Sequence, residues 1–256
     1  MDLLKGFNKE EHSLYHAHAR IWQEFIFINL SEDPIPFEDD LAPLLNKWED
    51  KKIHELRIAN KVEYHLNCNW KLILQNYQEC YHCPGVHPLL SKLTPYRSAV
   101  HDCGVGGIIG GYMSINEPRG SMTMDGKAAA PLLGNTGEDE QQKIYYYSIY
   151  PNMLLTPHPD YVLYHVLTPI SYNEVQLECH WLFHPDVINS ADYKDRIRSA
   201  IEFWDMTNKQ DWEVCEQMQQ GVASARFDRG YYAGQEDMLA AIDQETLRSL
   251  GHDDPS

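Results

Sequence analysis

The sequence lacks the signals of several large classes of protein. It contains 21 Lys and Arg residues against 38 Asp and Glu residues, a formal net charge of −17, and a protein of this charge repels nucleic acid. No apolar run is long enough to span a bilayer, and no signal peptide is recognisable. We therefore expect a cytoplasmic protein with no nucleic-acid or membrane partner.

Cysteine is scarce, and its placement argues against a zinc ribbon. Only six cysteines occur, and Cys80 and Cys83 form a single C-x-x-C, whereas a zinc ribbon needs a second such pair. In a reducing compartment we expect all six to be free thiols. A hydrolase that uses a Cys or Ser with His82 is a minor alternative, because no G-x-S-x-G occurs and the only candidate orienting carboxylate is Glu79.

Nothing in the middle of the chain resembles a linker, and hydrophobic residues make up 43% of the composition, enough for one sizeable core. Residues 39–55 are charged and helix-favouring, and the glycine-rich stretch 104–111 has no phosphate-loop signature, so it is interpreted as strand and tight turns. β-branched and aromatic residues predict strands at 20–30, 61–66, 143–150, 161–168 and 175–183. This order predicts an antiparallel sheet within an α+β fold.

Two segments have helical periodicity. Residues 69–82 carry apolar residues every three or four positions, and Pro84 and Gly85 are expected to end that helix. Near the C-terminus a regular alternation of four and three residues defines one helix face, formed by Ile197, Ile201, Trp204, Asn208, Asp211, Cys215, Met218 and Val222. The sequence therefore predicts a long C-terminal helix with one mainly apolar face.

Asp211 is a carboxylate among core positions of that helix, so it needs a partner. A salt bridge or a hydrogen-bonded core position is the ordinary explanation, and a metal ion is the alternative. His82 and His87 favour the metal, because the break at Pro84 and Gly85 allows both imidazoles to reach one point. Two imidazoles and one carboxylate form the facial triad of ferrous oxygenases.

Several motifs together resemble one family. They are Asn69-Trp70-Lys71, Asn76, Glu79, Tyr81-His82, His87-Pro88, Phe203-Trp204-Asp205, Asn208, Gln210-Asp211-Trp212, Cys215-Glu216, Gln219 and Gly221. The sequence thereby resembles the catalytic domain of Rieske non-haem iron oxygenase α subunits, nearly end to end. The branch it resembles most acts on quaternary ammonium compounds, as the glycine betaine and stachydrine demethylases do, on the evidence of residues 94–97, 145–147, 158–162 and 229–232.

The resemblance implies a helix-grip fold and a mononuclear Fe(II) held by His82, His87 and Asp211. It places Glu79 at the bridging carboxylate, usually Asp, which would carry electrons from a neighbouring subunit's Rieske cluster to His82. Asn76 would lie close to the metal without ligating it. The implied reaction oxidises an N-methyl group and releases formaldehyde, and the candidate substrate-binding residues are Tyr96, Tyr147, Trp204 and Asn208.

The main departure from the family concerns the [2Fe–2S] cluster, whose Cys and His ligands occur as C-x-H and C-x-x-H. The single C-x-H, at Cys80 to His82, already belongs to the iron motif, and no C-x-x-H occurs. We interpret 1–30 as the trailing edge of a missing Rieske domain and 31–256 as the catalytic domain. The cluster and a flavin reductase or ferredoxin-type donor would come from other polypeptides, and the resemblance implies a homotrimer. The alternative is a truncated, non-catalytic helix-grip module that binds a ligand.

Overall fold

A computed structural model describes residues 8–117, 120–135 and 137–252. Its centre is a seven-stranded antiparallel sheet with the strand order β3-β9-β8-β7-β6-β5-β4. The strands are β3 (Arg57–Leu66), β4 (Val100–Val105), β5 (Ile108–Ser114), β6 (Lys143–Ile149), β7 (Met153–Pro157), β8 (Val162–Ser171) and β9 (Glu174–Phe183). The large antiparallel sheet and the separate helices confirm the predicted α+β organisation.

Seven α-helices accompany the sheet in the described part of the chain. They are α1 (Phe37–Asp40), α2 (Trp70–Gln78), α3 (Cys83–Val86), α4 (Leu90–Leu93), α5 (Pro185–Ile188), α6 (Tyr193–Val222) and α7 (Asp237–Ser249). The 30-residue α6 is the predicted C-terminal helix. None of the described helices is long and apolar enough to cross a membrane.

The sheet separates two hydrophobic clusters, because successive side chains of a strand point to opposite faces. On one side, α2, α6 and α7 pack on the sheet in a cluster that includes Ile73, Phe203 and Trp181. We call this side the cavity face. On the other side, the N-terminal segment packs on the sheet in a cluster centred on Trp48 and Tyr147, and we call this side the opposite face.

The single strand predicted at 20–30 is a hairpin. Strands β1 (His18–Trp22) and β2 (Phe25–Asn29) pair with each other, and Gln23 and Glu24 form the turn between them. Both turn residues have positive φ angles, 51° and 68°, which favour Gly or Asn. The prediction was wrong here because no such residue marks the turn. Residues 1–30 were predicted to be the trailing edge of a separate domain. Positions 1–7 of that segment lie outside the described residues.

Helix α2 is shorter than predicted. It ends at Gln78, because Glu79 adopts an extended conformation with φ −130° and ψ 138°. Pro84 does not end this helix; it lies in the first turn of α3, where a missing N–H is tolerated. Asn76, Glu79 and His82 therefore do not share one helix face, and a turn brings Glu79 to His82 instead.

Candidate metal centre

The turn between α2 and α3 positions His82 through its neighbour Glu79. Glu79 Oε2 accepts hydrogen bonds from the backbone N–H groups of Tyr81, at 2.7 Å, and His82, at 3.2 Å. The second oxygen, Oε1, lies 2.6 Å from His82 Nδ1. The carboxylate thus holds both the backbone and the ring of His82, which lies just before α3, while His87 follows the last residue of α3.

Helix α6 supplies two adjacent residues to the same place. Asp211 Oδ1 lies 2.8 Å from His87 Nε2 and 3.3 Å from His82 Nε2. Gln210 Oε1 lies 2.8 Å from His87 Nδ1. Since the His82 and His87 Nε2 atoms are 3.2 Å apart, three potential metal ligands converge from the α2–α4 segment and α6.

The outer hydrogen bonds determine which ring nitrogens face inward. If His82 Nδ1–H donates to Glu79 and His87 Nδ1–H donates to Gln210, both Nε2 atoms carry their lone pairs toward Asp211. Metal-binding histidines are usually oriented by such a bond on the nitrogen that does not ligate. In that protonation state, which a bound metal ion would select by displacing a proton, two imidazole nitrogens and one carboxylate oxygen face a common point.

The electrostatics of the centre favour positive charge at that point. Burial lowers the pKa of His82, but hydrogen bonds with Asp211 and Glu79 outweigh it and raise the pKa to about 9. For Asp211, burial raises the pKa, while hydrogen bonds with His82 and His87 hold it below its ordinary value. An environment that stabilises an imidazolium also stabilises a metal cation.

The spacing of the donor atoms fits a single metal ion. Ligand atoms at adjacent octahedral positions, each about 2.1 Å from the metal, lie about 3.0 Å apart. The three separations here are 2.8, 3.2 and 3.3 Å. The residues predicted from the sequence, His82, His87 and Asp211, therefore have a geometry that a facial triad requires.

Cys83 is a competing third ligand, since its Sγ atom also lies in a group with the His82 and His87 nitrogens, within 4.8 Å of one another. However, Cys83 Sγ is 3.9 Å from His82 Nε2 and forms a disulfide with Cys80. A disulfide sulfur is not a thiolate, and the thiolate is the metal-binding form. Asp211 is thus the better third ligand.

The disulfide also corrects an expectation. Free thiols were predicted for all six cysteines, but Cys80 and Cys83 are bonded, with Cα atoms 4.9 Å apart. The turn between α2 and α3 brings the two residues of this C-x-x-C within the Cα separation that a disulfide requires. Of the other cysteines, Cys68, Cys179 and Cys215 are buried.

A cavity of about 70 Å³ adjoins the three convergent residues. Helices α2 and α6 and strands β5, β6 and β8 contribute its walls. Its aromatic lining consists of Tyr77, Tyr146, Trp204 and Trp212. Tyr112 also borders the cavity, but its ring packs against Tyr145 on the opposite face. Its polar lining includes Asn76, Gln78, Glu79, His101, His165, Thr207 and Asn208. The cavity therefore combines an apolar aromatic wall with a few polar groups beside the candidate metal ligands, as small-molecule sites usually do.

The predicted site residues divide into two groups. Asn76, Glu79, Trp204 and Asn208 line the cavity together with the three candidate ligands. Tyr147 does not, because its side chain lies in the cluster on the opposite face and its hydroxyl donates to Asp102 at 2.5 Å. Tyr96 packs against the cavity-face cluster but is not part of the cavity lining. The structure thus places Tyr147 and Tyr96 outside the cavity lining, and a role of either residue in substrate binding stays a prediction.

Several residues of the site were missed, including Tyr77 and Trp212 of the cavity lining. Tyr146, rather than Tyr147, faces the cavity, and His165 of β8 and Gln210 of α6 also lie at the centre. Because successive side chains of a strand alternate, Tyr146 and Tyr147 must point to opposite faces of the sheet. The alternation alone does not predict which of the two points to the cavity. For Gln210 the available signal was its position next to Asp211 in the recognised motif.

Residues 53–251 match the family described as "Ring hydroxylating alpha subunit (catalytic domain)". The glycine betaine monooxygenase oxygenase subunit of Pseudomonas aeruginosa is 27% identical over 96% of this chain, which spans 65% of that relative's length. The carnitine monooxygenase oxygenase subunit of Acinetobacter pittii is 33% identical over 34% of this chain and 24% of its own length.

Solved structures share the fold. A quaternary ammonium Rieske monooxygenase superposes with a TM-score of 0.73 at 18% identity, covering 98% of this chain and 66% of that one. Naphthalene 1,2-dioxygenase from Rhodococcus sp. superposes with a TM-score of 0.66 at 12% identity, covering 90% of this chain and 65% of that one. The chain thus spans less than two thirds of the length of these proteins.

Proposed function

We propose that this chain, which belongs to the ring hydroxylating alpha subunit (catalytic domain) family, holds one ferrous ion between His82, His87 and Asp211. We further propose that it oxidises an N-methyl group of a small quaternary ammonium compound. The observation that carries the proposal is the convergence of three donor atoms within 3.3 Å of one another, with both outer imidazole nitrogens bonded elsewhere. The sheet and α6 support the helix-grip assignment.

The bound iron would supply the activation of O₂, which needs electrons from outside the chain. The net reaction takes the N-methyl cation, O₂, two electrons and two protons to a hydroxymethyl ammonium ion and water. Loss of formaldehyde and one proton then leaves the tertiary amine. Similarity to proteins named glycine betaine and carnitine monooxygenase subunits supports this substrate class.

Residues that line the cavity would bind the substrate beside the three metal ligands. Tyr77, Trp204 and Trp212 present aromatic rings to the cavity, and a ring face attracts an ammonium group by about 0.5–2 kcal/mol. Asn208 lies on the same wall and would orient the substrate beside the ligands. The apolar lining limits water near the metal, which strengthens each electrostatic contact.

Glu79 would connect the centre to its source of electrons. Its Oε1 atom lies one hydrogen bond from His82, and its side chain is 14% exposed. We propose that electrons from a Rieske cluster on another polypeptide, reduced by a flavin reductase or ferredoxin-type donor, enter through this carboxylate. The family's use of such a cluster also supports a homotrimer, in which one subunit's cluster serves its neighbour.

The experiment that tests the site is metal loading under anaerobic conditions. We expect about one Fe(II) per chain, and we expect His82→Ala, His87→Ala and Asp211→Ala each to lose it. Asp205→Ala is the matched control, because Asp205 is also a carboxylate of α6 but pairs with Lys209 and Tyr64 instead.

Two outcomes would reject this site. One is wild-type protein that remains free of iron while it is folded. The other is equal iron in the control and in all three ligand variants. A chain that binds quaternary ammonium compounds without iron would instead fit the non-catalytic ligand-binding alternative.

A further inference from the structure

The hydroxyl of Tyr146 is a buried polar group without a partner. Tyr146 lies in β6, and its side chain lines the cavity where β6 packs against α2, with its ring 5.8 Å from the Tyr77 ring between centroids. Among the described residues, no atom forms a hydrogen bond with its hydroxyl. A buried hydroxyl without a partner is destabilising, and most native proteins avoid it.

This hydroxyl is a hydrogen-bond donor near the candidate ligands. Burial raises the pKa of Tyr146 well above its ordinary value, and electrostatic interactions with Tyr77 and the Asp211 carboxylate add to that rise. The phenol is therefore neutral at physiological pH. It keeps an O–H that can donate to an acceptor within the cavity.

A second unpartnered donor lines the same cavity. Asn76 is 4% exposed, and its amide nitrogen has no hydrogen-bond partner among the residues that the structure describes. Both groups offer hydrogen, so the complementary ligand offers an oxygen that accepts it. A quaternary nitrogen carries no hydrogen and no lone pair, so neither donor can serve the ammonium end of a substrate.

We infer that Tyr146, assisted by Asn76, is a specificity-determining residue that binds an acceptor oxygen of the substrate while the aromatic wall receives its ammonium group. The inference rests on the proposed function and narrows it. Tyr146 would then distinguish N-methylated ammonium compounds that carry a hydroxyl or carboxylate oxygen from simple tetraalkylammonium ions.

Calorimetric titration of the anaerobic Fe(II)-loaded protein with three probes tests the inference. Ethyltrimethylammonium has no oxygen, choline adds a hydroxyl to the same skeleton, and glycine betaine carries a carboxylate. In the wild type we expect at least one oxygenated probe to bind up to about tenfold more tightly than ethyltrimethylammonium, the equivalent of one hydrogen bond. A higher affinity for choline indicates a site for a hydroxyl, and a higher affinity for glycine betaine indicates a site for a carboxylate.

Tyr146→Phe removes only the hydroxyl, so it should abolish that preference and leave the affinity for ethyltrimethylammonium unchanged. Tyr147→Phe is the matched control, since it removes the next hydroxyl of the same strand, which bonds Asp102 outside the cavity. The control should keep the wild-type preference.

The possible failures are distinguishable. Equal binding of all three probes by the wild type, or a preference that survives in Tyr146→Phe, overturns this inference and leaves the proposed substrate class intact. Binding of none of the probes by iron-loaded protein overturns the proposed substrate class and this inference with it.

Discussion

Tyrosine side chains have different surroundings on the two faces of the central sheet. Tyr145 and Tyr147 point to the opposite face, where their hydroxyls donate to Glu140 and Asp102, each at 2.5 Å. Tyr146 lies between them and points to the cavity, where its hydroxyl has no partner among the described residues. Three identical residues in a row thus have two different environments.

The difference indicates which polar groups serve the fold and which are available to a ligand. On the opposite face the tyrosine hydroxyls are bonded to carboxylates, although the Trp48 indole N–H lacks a partner there. At the metal centre, His82 and His87 are bonded on their outer nitrogens and present their inner ones. The candidate site is thus marked by two histidines whose outer nitrogens are bonded to Glu79 and Gln210 and whose inner nitrogens face Asp211.

The largest effect is expected from Trp48→Ala on the opposite face. Trp48 is 2% exposed and contacts the rings of Tyr145, Tyr147 and Trp22. Its truncation should lower the free energy of unfolding by about 3–5 kcal/mol, because it leaves a cavity. Urea unfolding measures this loss, and iron titration without urea should give wild-type affinity. A large loss of iron affinity in folded protein would show that the faces are not independent.

Acid is expected to weaken the cavity-face cluster through buried neutral histidines. Burial lowers the pKa of His165 to about 4 and holds the pKa of His158 well below its ordinary value. Below about pH 6.5 the unfolded rings bind protons that the folded rings do not, so their stabilising contribution is full above pH 6.5. As the pH falls below 6.5, the contribution of each histidine to the free energy of unfolding decreases by about 1.4 kcal/mol per pH unit. For His165 this decrease ends near pH 4, where the folded ring also binds a proton.

Unfolding of metal-free protein in urea between pH 7 and pH 4 measures this slope. His165→Phe should reduce the dependence of the free energy of unfolding on pH by about 1.4 kcal/mol per pH unit, the contribution of one histidine. The same exchange at the exposed His65 is the control. An unchanged slope in His165→Phe would mean that the ring is protonated in the folded protein.

A smaller effect is expected from Gln210→Leu at the metal centre. Leu cannot accept the hydrogen bond from His87 Nδ1, so the ring loses the contact that orients its Nε2 atom. Loss of such an outer contact typically lowers metal affinity about 10- to 100-fold. Gln217→Leu, at an exposed position of the same helix, should leave the iron affinity unchanged. Equal affinities of the two variants would remove Gln210 from the site.

The smallest effects should come from the tyrosine pair, measured by urea unfolding of metal-free protein. Tyr147→Phe breaks the hydrogen bond to Asp102 and should lower the free energy of unfolding by about 1 kcal/mol. Tyr146→Phe breaks no hydrogen bond within the described residues and should leave that free energy unchanged or slightly higher. The reverse order of stabilities would contradict the difference between the two faces.

Most of the fold could be predicted from local periodicity. Strands β3, β6, β8 and β9 and helix α6 were expected because each has a regular pattern over several residues. Strand β7 was missed, since all five of its residues are buried and no alternation appears. The helix at Asp237–Ser249 was also missed, although Met238, Leu239 and Ile242 have helical spacing, a signal that could have identified it.

The site was only partly predictable. The sequence motif indicated His82, His87 and Asp211, and the structure brings them together; that they bind iron stays a prediction. The choice between Tyr146 and Tyr147 depends on which face of β6 meets the helices, and this depends on tertiary packing rather than on local sequence. The contact of Gln210 with His87 likewise depends on the rotation of α6 about its axis.

The distance along the chain between the candidate ligands has a consequence for biosynthesis. His87 and Asp211 are 124 residues apart, and six of the seven strands of the sheet, β4 to β9, are encoded between them. A nascent chain that has emerged only as far as β9 contains both histidines but not Asp211. Because such long-range contacts form only after the intervening chain is ordered, capture of a metal by all three residues would report that synthesis has passed α6 and that the whole sheet has formed.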